Sequence, residues 1–255
     1  MSNLFLINYA DSRHKKSVTR EAEIQKAKAV ECGFRESNLI HWNFEKISKT
    51  EFYKSNQSIL DARRGAGLWL WKPYIIYKTL NKVNYGDIVI YSDTDIYFER
   101  YPQKLIDICD KFGYFFRRTI FKHKQYTKRE CMISMNADTQ DFYESFHITA
   151  GFQFLKKNNE NINFIKDWLD WSCKKHIIDD SRDSNIKQLP TFIDHRHDLS
   201  IFSILHKKRN LLAFNSPGKC MFDFYNLGLY DTAFNSIERK ENETYLNERI
   251  INGQI

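Results

Sequence analysis

Residues 4–9 (LFLINY) form a compact apolar run with polar neighbours, the pattern of a buried strand. Between residues 17 and 32 apolar side chains recur at helical spacing (Val18, Ala22, Ile24, Ala27, Val30), and Gly33 supplies a stop signal. Residues 38–44 (NLIHWNF) read as a second strand. A strand, helix, strand opening begins an α/β fold with a parallel sheet. Residues 52–64 read as a helix, Gly65 and Gly67 break it, and Pro73 stands in the first turn of a helix over 73–80. The clearest buried strand is 87–91 (DIVIY), which runs into Ser92-Asp93-Thr94-Asp95. A helix over 101–112 and a strand starting at 114 follow. Residues 147–155 (HITAGFQFL) alternate as one strand interrupted at Gly151, 161–174 give an amphipathic helix, and His197-Asp198 open a helix over 199–206. Beyond 211–214 the periodicity weakens, and the charged tail after about residue 237 reads as peripheral. With no internal repeat and little Gly or Pro, residues 1–255 are expected to form a single domain with a Rossmann-like, mostly parallel central sheet flanked by helices.

Charge narrows the classes of partner. The chain carries a formal +7, which suits phosphate-bearing partners: nucleic acid, anionic membrane surfaces or nucleotide-linked substrates. The densest basic stretch, 117–129 (RRTIFKHKQYTKR), reads equally as a solvated face and as a binding patch. Five scattered cysteines without a CxxC pair fit reduced thiols. The apolar run at the N-terminus is too short for a membrane span and has no basic region before it, so a cytoplasmic protein is expected, with peripheral contact to an anionic membrane face compatible with its charge.

The segment with most chemical content is IVIYSDTDIYF, residues 88–98. Asp93 and Asp95 leave the end of an apolar strand, where open α/β sheets bind ligands. Hard divalent cations take oxygen ligands and share their shell with substrate phosphates. Helix or turn capping accounts for one such aspartate better than for two. Trp69 and Trp71 flank a glycine-bracketed turn, where aromatic faces either pack on sugar rings or fill the core. Gly65 and Gly67 allow a tight turn or close approach to a ligand.

IVIYSDTDIYF resembles the D-x-D segment of GT-A fold glycosyltransferases. GAGLWLWKPYII (65–76), HITAGFQFLKK (147–157) and HRHDLSIFSIL (195–205) are similar to segments of bacterial transferases that build capsule and lipopolysaccharide glycans. The resemblance implies a nucleotide-diphosphate-sugar donor, with a UDP-sugar expected, a saccharide or lipid-linked saccharide acceptor, and Mn2+ or Mg2+ at the D-x-D. By it, Asp95 binds the metal directly, and Asp93 contacts the ribose or shares the metal. Lys72, Arg63 and Arg64 are candidate diphosphate contacts, read equally as exposed charges at a helix end. Asp198 matches the position of an acceptor-facing general base, and as a local pattern it is also a helix N-cap. His197 and His195 are candidates to complete the metal shell, which stays open because the last histidine is His206. The related segments read His-Asp-Gln where this chain has Leu199, which removes a polar donor contact there. His147 and Gly151 lie on the acceptor-side strand, where a lone histidine is more often structural.

Three rivals remain in view. A haloacid-dehalogenase-type phosphatase also places D-x-D after an apolar strand, but there it sits near the N-terminus and a second acidic segment follows, which this chain lacks. A nucleic-acid-binding protein has no helix-turn-helix, zinc or RNP signature to support it. A catalytically inactive, sugar-nucleotide-binding relative differs from an active enzyme only in its chemistry.

Overall fold

Apolar runs at 4–9 and 88–92 become the two central strands of a five-stranded sheet, β1 (Leu4–Tyr9) and β3 (Ile88–Ser92). In this computed structural model, which describes residues 2–13, 18–98 and 100–214, the order is β2-β1-β3-β7-β4. Strand β2 is Leu39–Trp42, β4 is Tyr114–Phe115 and β7 is Phe152–Lys156. β1 pairs in parallel with β2 and β3, while β7 runs antiparallel to both β3 and β4. Four strands therefore point one way and β7 alone is reversed, the mostly parallel α/β architecture expected from the sequence. The charged tail after residue 237 lies outside the described residues.

Both faces of the sheet are covered, which is why its two central strands are apolar at nearly every position rather than at alternate ones. Ile7, Val89 and Tyr91 point into one core, packed by the helices Trp71–Lys82, Asn159–Ser172 and His197–Lys208. Leu4, Leu6, Ile88, Ile90 and Phe154 point into the other, under the helices Val18–Glu31 and Gln103–Phe112.

Three local expectations change. Helix Val18–Glu31 buries Val18, Ala22, Gln25 and Ala29, while Ile24 and Val30 stand about two-fifths exposed. The buried face was misassigned because a glutamine lies at its centre. The expected single strand over 147–155 is two strands. Phe146–Ile148 (β6) pairs with Arg118–Lys122 (β5) in a separate two-stranded sheet, and β7 starts only after Gly151. Residues 65–69 form a tight left-handed turn: Gly65, Ala66, Gly67, Leu68 and Trp69 all have positive φ, between 49° and 107°. Left-handed backbone is costly for residues with a Cβ and usually occurs singly, so a run of five is a strained element held by its surroundings. A Cβ on Gly67 would stand 2.8 Å from the Leu60 backbone, and one on Gly65 would enter the Trp69 ring.

Candidate active site

The carboxyl ends of β1 and β3, the start of β7 and the left-handed turn meet at one end of the sheet. Asp93 follows β3, and its amide donates to Gly151 O at 2.8 Å, which locks the D-x-D turn to the start of β7. Its side chain accepts from the Tyr91 hydroxyl and faces the Lys72 ammonium at 3.4 Å. Neither aspartate of the pair caps a helix.

Gln25 is a site residue that sequence reasoning missed. Fully buried, it donates from Nε2 to Asp93 O at 2.8 Å, Ser92 Oγ at 3.2 Å and Ile96 O, and it accepts from Asn8 Nδ2 at 2.6 Å. One side chain thus ties two carbonyls of the turn, which also accept from Ser92 Oγ, to the first helix and holds the backbone from which the two carboxylates project. A lone polar residue on the inner face of an amphipathic helix was the available signal.

Two cavities open on either side of this turn. The larger, about 310 Å3, is lined by Lys72, Asp93, Asp95, Asp198, His197 and Trp69 on one side. Arg117, Thr119, Phe121, His147 and Thr149 line it on the other. The smaller, about 110 Å3, is lined by Tyr9 and Asp11 after β1, Glu21 of the first helix, Thr94 and Trp71. Asp93, Asp95 and Trp69 line both, so they form the partition between them.

Lys72, read from the sequence equally as a diphosphate contact and as an exposed helix-end charge, is not exposed. Its side chain is 4 % exposed and lies between Asp93 (3.4 Å) and Asp198 (3.6 Å). Burial works against its charge, but the two carboxylates outweigh it and hold it protonated above the ordinary lysine range. Asp198 does not cap its helix: the N-cap position belongs to Arg196, and Asp198 is buried in the first turn with no hydrogen bond to Oδ2. Burial raises its pKa to about 7, with Lys72 opposing and the charge of Asp93 adding to the rise.

The remaining sequence candidates separate. Trp71 is buried, stacks on Tyr9 at 4.0 Å and donates from Nε1 to Gly65 O at 3.0 Å, so it braces the left-handed turn while its edge reaches the smaller cavity. Trp69, held by that turn, tilts against His197 with 5.2 Å between ring centres. Arg64 reaches the larger cavity with its guanidinium already paired to Asp180 (3.2 Å) and Asp194 (2.7 Å). Arg63 is exposed and lines neither cavity. His147 is buried, and Thr127 bridges it to His123 through contacts of 2.9 and 2.8 Å; burial, with His123 next, holds its pKa well below the usual histidine range.

For a metal, the donor set is Asp93 and Asp95. Among the described residues no group of three or more His, Cys, Asp or Glu side chains converges as a complete shell. His195 is excluded as a third ligand by its bonds: Nδ1 accepts from Lys128 N at 3.3 Å and Nε2 meets Ile177 O at 2.9 Å. His197 Nε2 stands 3.2 Å from Asp180 instead. Two carboxylates at the partition of two cavities still fit a magnesium-like ion, which keeps waters and takes further oxygens from substrate phosphates.

Gly151 has a specific reason to be glycine: a Cβ there would stand 2.4 Å from Asp93 Oδ2. Gly151→Ala should leave the fold intact, because the carboxylate can swing within the turn while staying near Lys72, and should move it from its place at the partition between the cavities. The expected result is a melting temperature close to wild type with at least about a ten-fold weaker nucleotide affinity in the presence of metal, measured by calorimetry.

No protein-family model and no curated protein matches the chain. Among solved structures, the chain is similar to apo mouse xyloside xylosyltransferase 1, with a TM-score of 0.43 and 11 % identity over 91 % of this chain and 92 % of that one. It is also similar to the apo WbbM bifunctional glycosyltransferase, with a TM-score of 0.39 and 12 % identity over 80 % of this chain. It spans 37 % of the WbbM chain. At such scores the chemistry is decided by the residues of the site. Among the described residues no helix is long and apolar enough to cross a membrane.

Proposed function

We propose that the protein is a metal-dependent glycosyltransferase of GT-A type that moves a hexosyl group from a UDP-sugar to a saccharide acceptor. The observation that carries this reading is the pair of cavities separated by Asp93, Asp95 and Trp69. Group transfer between two substrates needs two adjoining compartments with the reacting centre at their boundary. In the smaller cavity, Asp11, Glu21 and Thr94 offer oxygen acceptors to ribose hydroxyls and base N–H groups, and Tyr9 and Trp71 offer ring surface. Four carboxylates around that space would repel a diphosphate, so the donor needs a cation between them.

Asp93 and Asp95 would hold the ion, which when bound neutralises charge on the departing diphosphate. The transferred sugar lies past the partition against Trp69, whose flat ring suits a sugar face and whose strained backbone fixes its angle. Asp198, buried and without a hydrogen bond on Oδ2, accepts the proton of the acceptor hydroxyl. Lys72 keeps the ionised form of Asp198 accessible near neutral pH and orients Asp93. A catalytically inactive sugar-nucleotide binder would have no use for a carboxylate kept buried and underbonded in the second cavity. A place in surface-glycan synthesis, a lipid-linked acceptor and contact with an anionic membrane face at the cytoplasmic side belong to the same proposal, supported by the +7 charge and the resemblance of the four sequence segments.

A thermal-shift screen of nucleotide sugars with manganese tests it. A ligand at a hundred times its dissociation constant should raise the melting temperature by about 5–10 °C. No shift with any nucleotide diphosphate sugar, with or without metal, defeats the reading.

A further inference from the structure

The larger cavity has two chemically opposite walls. All three of its carboxylates, Asp93, Asp95 and Asp198, come from the β3 turn and the start of the helix His197–Lys208. The facing wall is the inner side of the two-stranded sheet. Along β5 the chain alternates: Arg117, Thr119 and Phe121 face the cavity, while Arg118 and Ile120 are exposed on the outer side. Arg118 pairs with Ile148, and Thr149 N donates to Arg117 O at 2.7 Å, which sets His147 and Thr149 beside the same three residues. Arg117 is 3 % exposed. Arg196, the N-cap residue of the helix that carries Asp198, turns its side chain toward this wall. Its guanidinium lies 4.9 Å from the Tyr126 ring centre and 6.0 Å from that of Phe121, and among the described residues it forms no ion pair with a carboxylate.

A guanidinium stacked on aromatic rings has its planar fork fixed while its charge remains available. His147, kept neutral by burial and by the cations near it, adds no competing charge. Among the described residues, the lining of this wall holds two arginines and two threonine hydroxyls and no carboxylate. We infer that the acceptor carries an anionic group, a carboxylate or a phosphate on a sugar, and that Arg196 binds it at the β5 side of the cavity. The inference rests on the glycosyltransferase reading for the word acceptor; the anion site itself rests on the wall. The same arrangement excludes acceptors from the carboxylate side, since a negative group there would face Asp93 and Asp198.

The test compares three probes by ligand-observed NMR on the full chain with UDP and magnesium present: methyl glucuronide, methyl glucoside 6-phosphate and neutral methyl glucoside. Exposed Arg196 is the residue to vary, since its replacement leaves the core untouched. At least one anionic probe should bind about ten-fold or more tightly than the neutral one. Arg196→Ala should remove that margin and Arg196→Glu should reverse it, with UDP affinity unchanged by calorimetry. Which anionic probe gains decides between carboxylate and phosphate. Equal binding of all three probes overturns the inference. So does a parallel loss of UDP affinity in Arg196→Ala, because the guanidinium would then serve the donor diphosphate. If the wild type binds an anionic probe through Arg196 but binds no UDP, the anion site stands and the glycosyltransferase reading falls.

Discussion

Asp198→Asn should reduce turnover by about 100- to 10,000-fold while leaving the affinity for the nucleotide sugar within about two-fold. The variant keeps the shape of the side chain and loses the ability to take a proton, together with the negative charge that faces Lys72. Because burial raises the pKa of Asp198 to about 7, the wild-type rate should fall as pH drops below about 7, where the carboxyl becomes protonated. That acidic limb should vanish in the variant. Stability carries the same signature with its sign fixed by linkage. The folded-state pKa lies above the ordinary value of 3.8, so between about 4 and 7 the unfolded chain gives up this proton first. The contribution of Asp198 to stability is therefore lost as pH rises through that window and is level above it. Urea denaturation at pH 5 and pH 8 should show a smaller difference in Asp198→Asn than in the wild type. Full activity in the variant, or an unchanged acidic limb, removes Asp198 from the reaction.

The role of Asp198 was only half legible in the sequence. As a local pattern, an aspartate before an apolar helical run reads as a cap. What changes its meaning is Lys72, which arrives from the other side of the glycine turn and leaves no trace near residue 198. The same limit applies to Gln25: its helix was readable from spacing, yet its buried face was not, because the partner it serves is the turn after β3. The sheet, in contrast, was readable almost to the residue at β1 and β3, since strands covered on both faces are apolar nearly throughout and announce themselves. The Arg117–Phe121 alternation is also present in the sequence. Its significance depended on which face meets the cavity, since an arginine stands on each: Arg117, Thr119 and Phe121 line it, and Arg118 and Ile120 are exposed. The expected strand over 147–155 divides before Gly151 because its two halves pair with different partners, β6 with β5 and β7 with β3, and the glycine leaves room for the Asp93 carboxylate.

The two aspartates of the D-x-D turn are not equivalent, and Asp95→Ala is the variant that tests the metal cleanly. Asp93 already answers to the Tyr91 hydroxyl and the buried Lys72 ammonium, so its removal strands a buried charge and disturbs stability along with binding. Asp95 is exposed at the partition and lines both cavities; a melting curve of the variant, expected within about 0.5 kcal/mol of wild type for an exposed position, accompanies the binding measurement. In manganese, the affinity of Asp95→Ala for a UDP-sugar should fall by about 100-fold, equivalent to about 2.7 kcal/mol. A cycle with a chelator makes the attribution specific. If Asp95 acts by holding the ion, the variant in manganese should match the wild type in EDTA, and EDTA should weaken the variant no further. If each change weakened binding independently, Asp95 would contact the nucleotide by itself and the ion would be held elsewhere. Unchanged affinity in the presence of metal would leave the turn a structural feature and take the proposed chemistry with it.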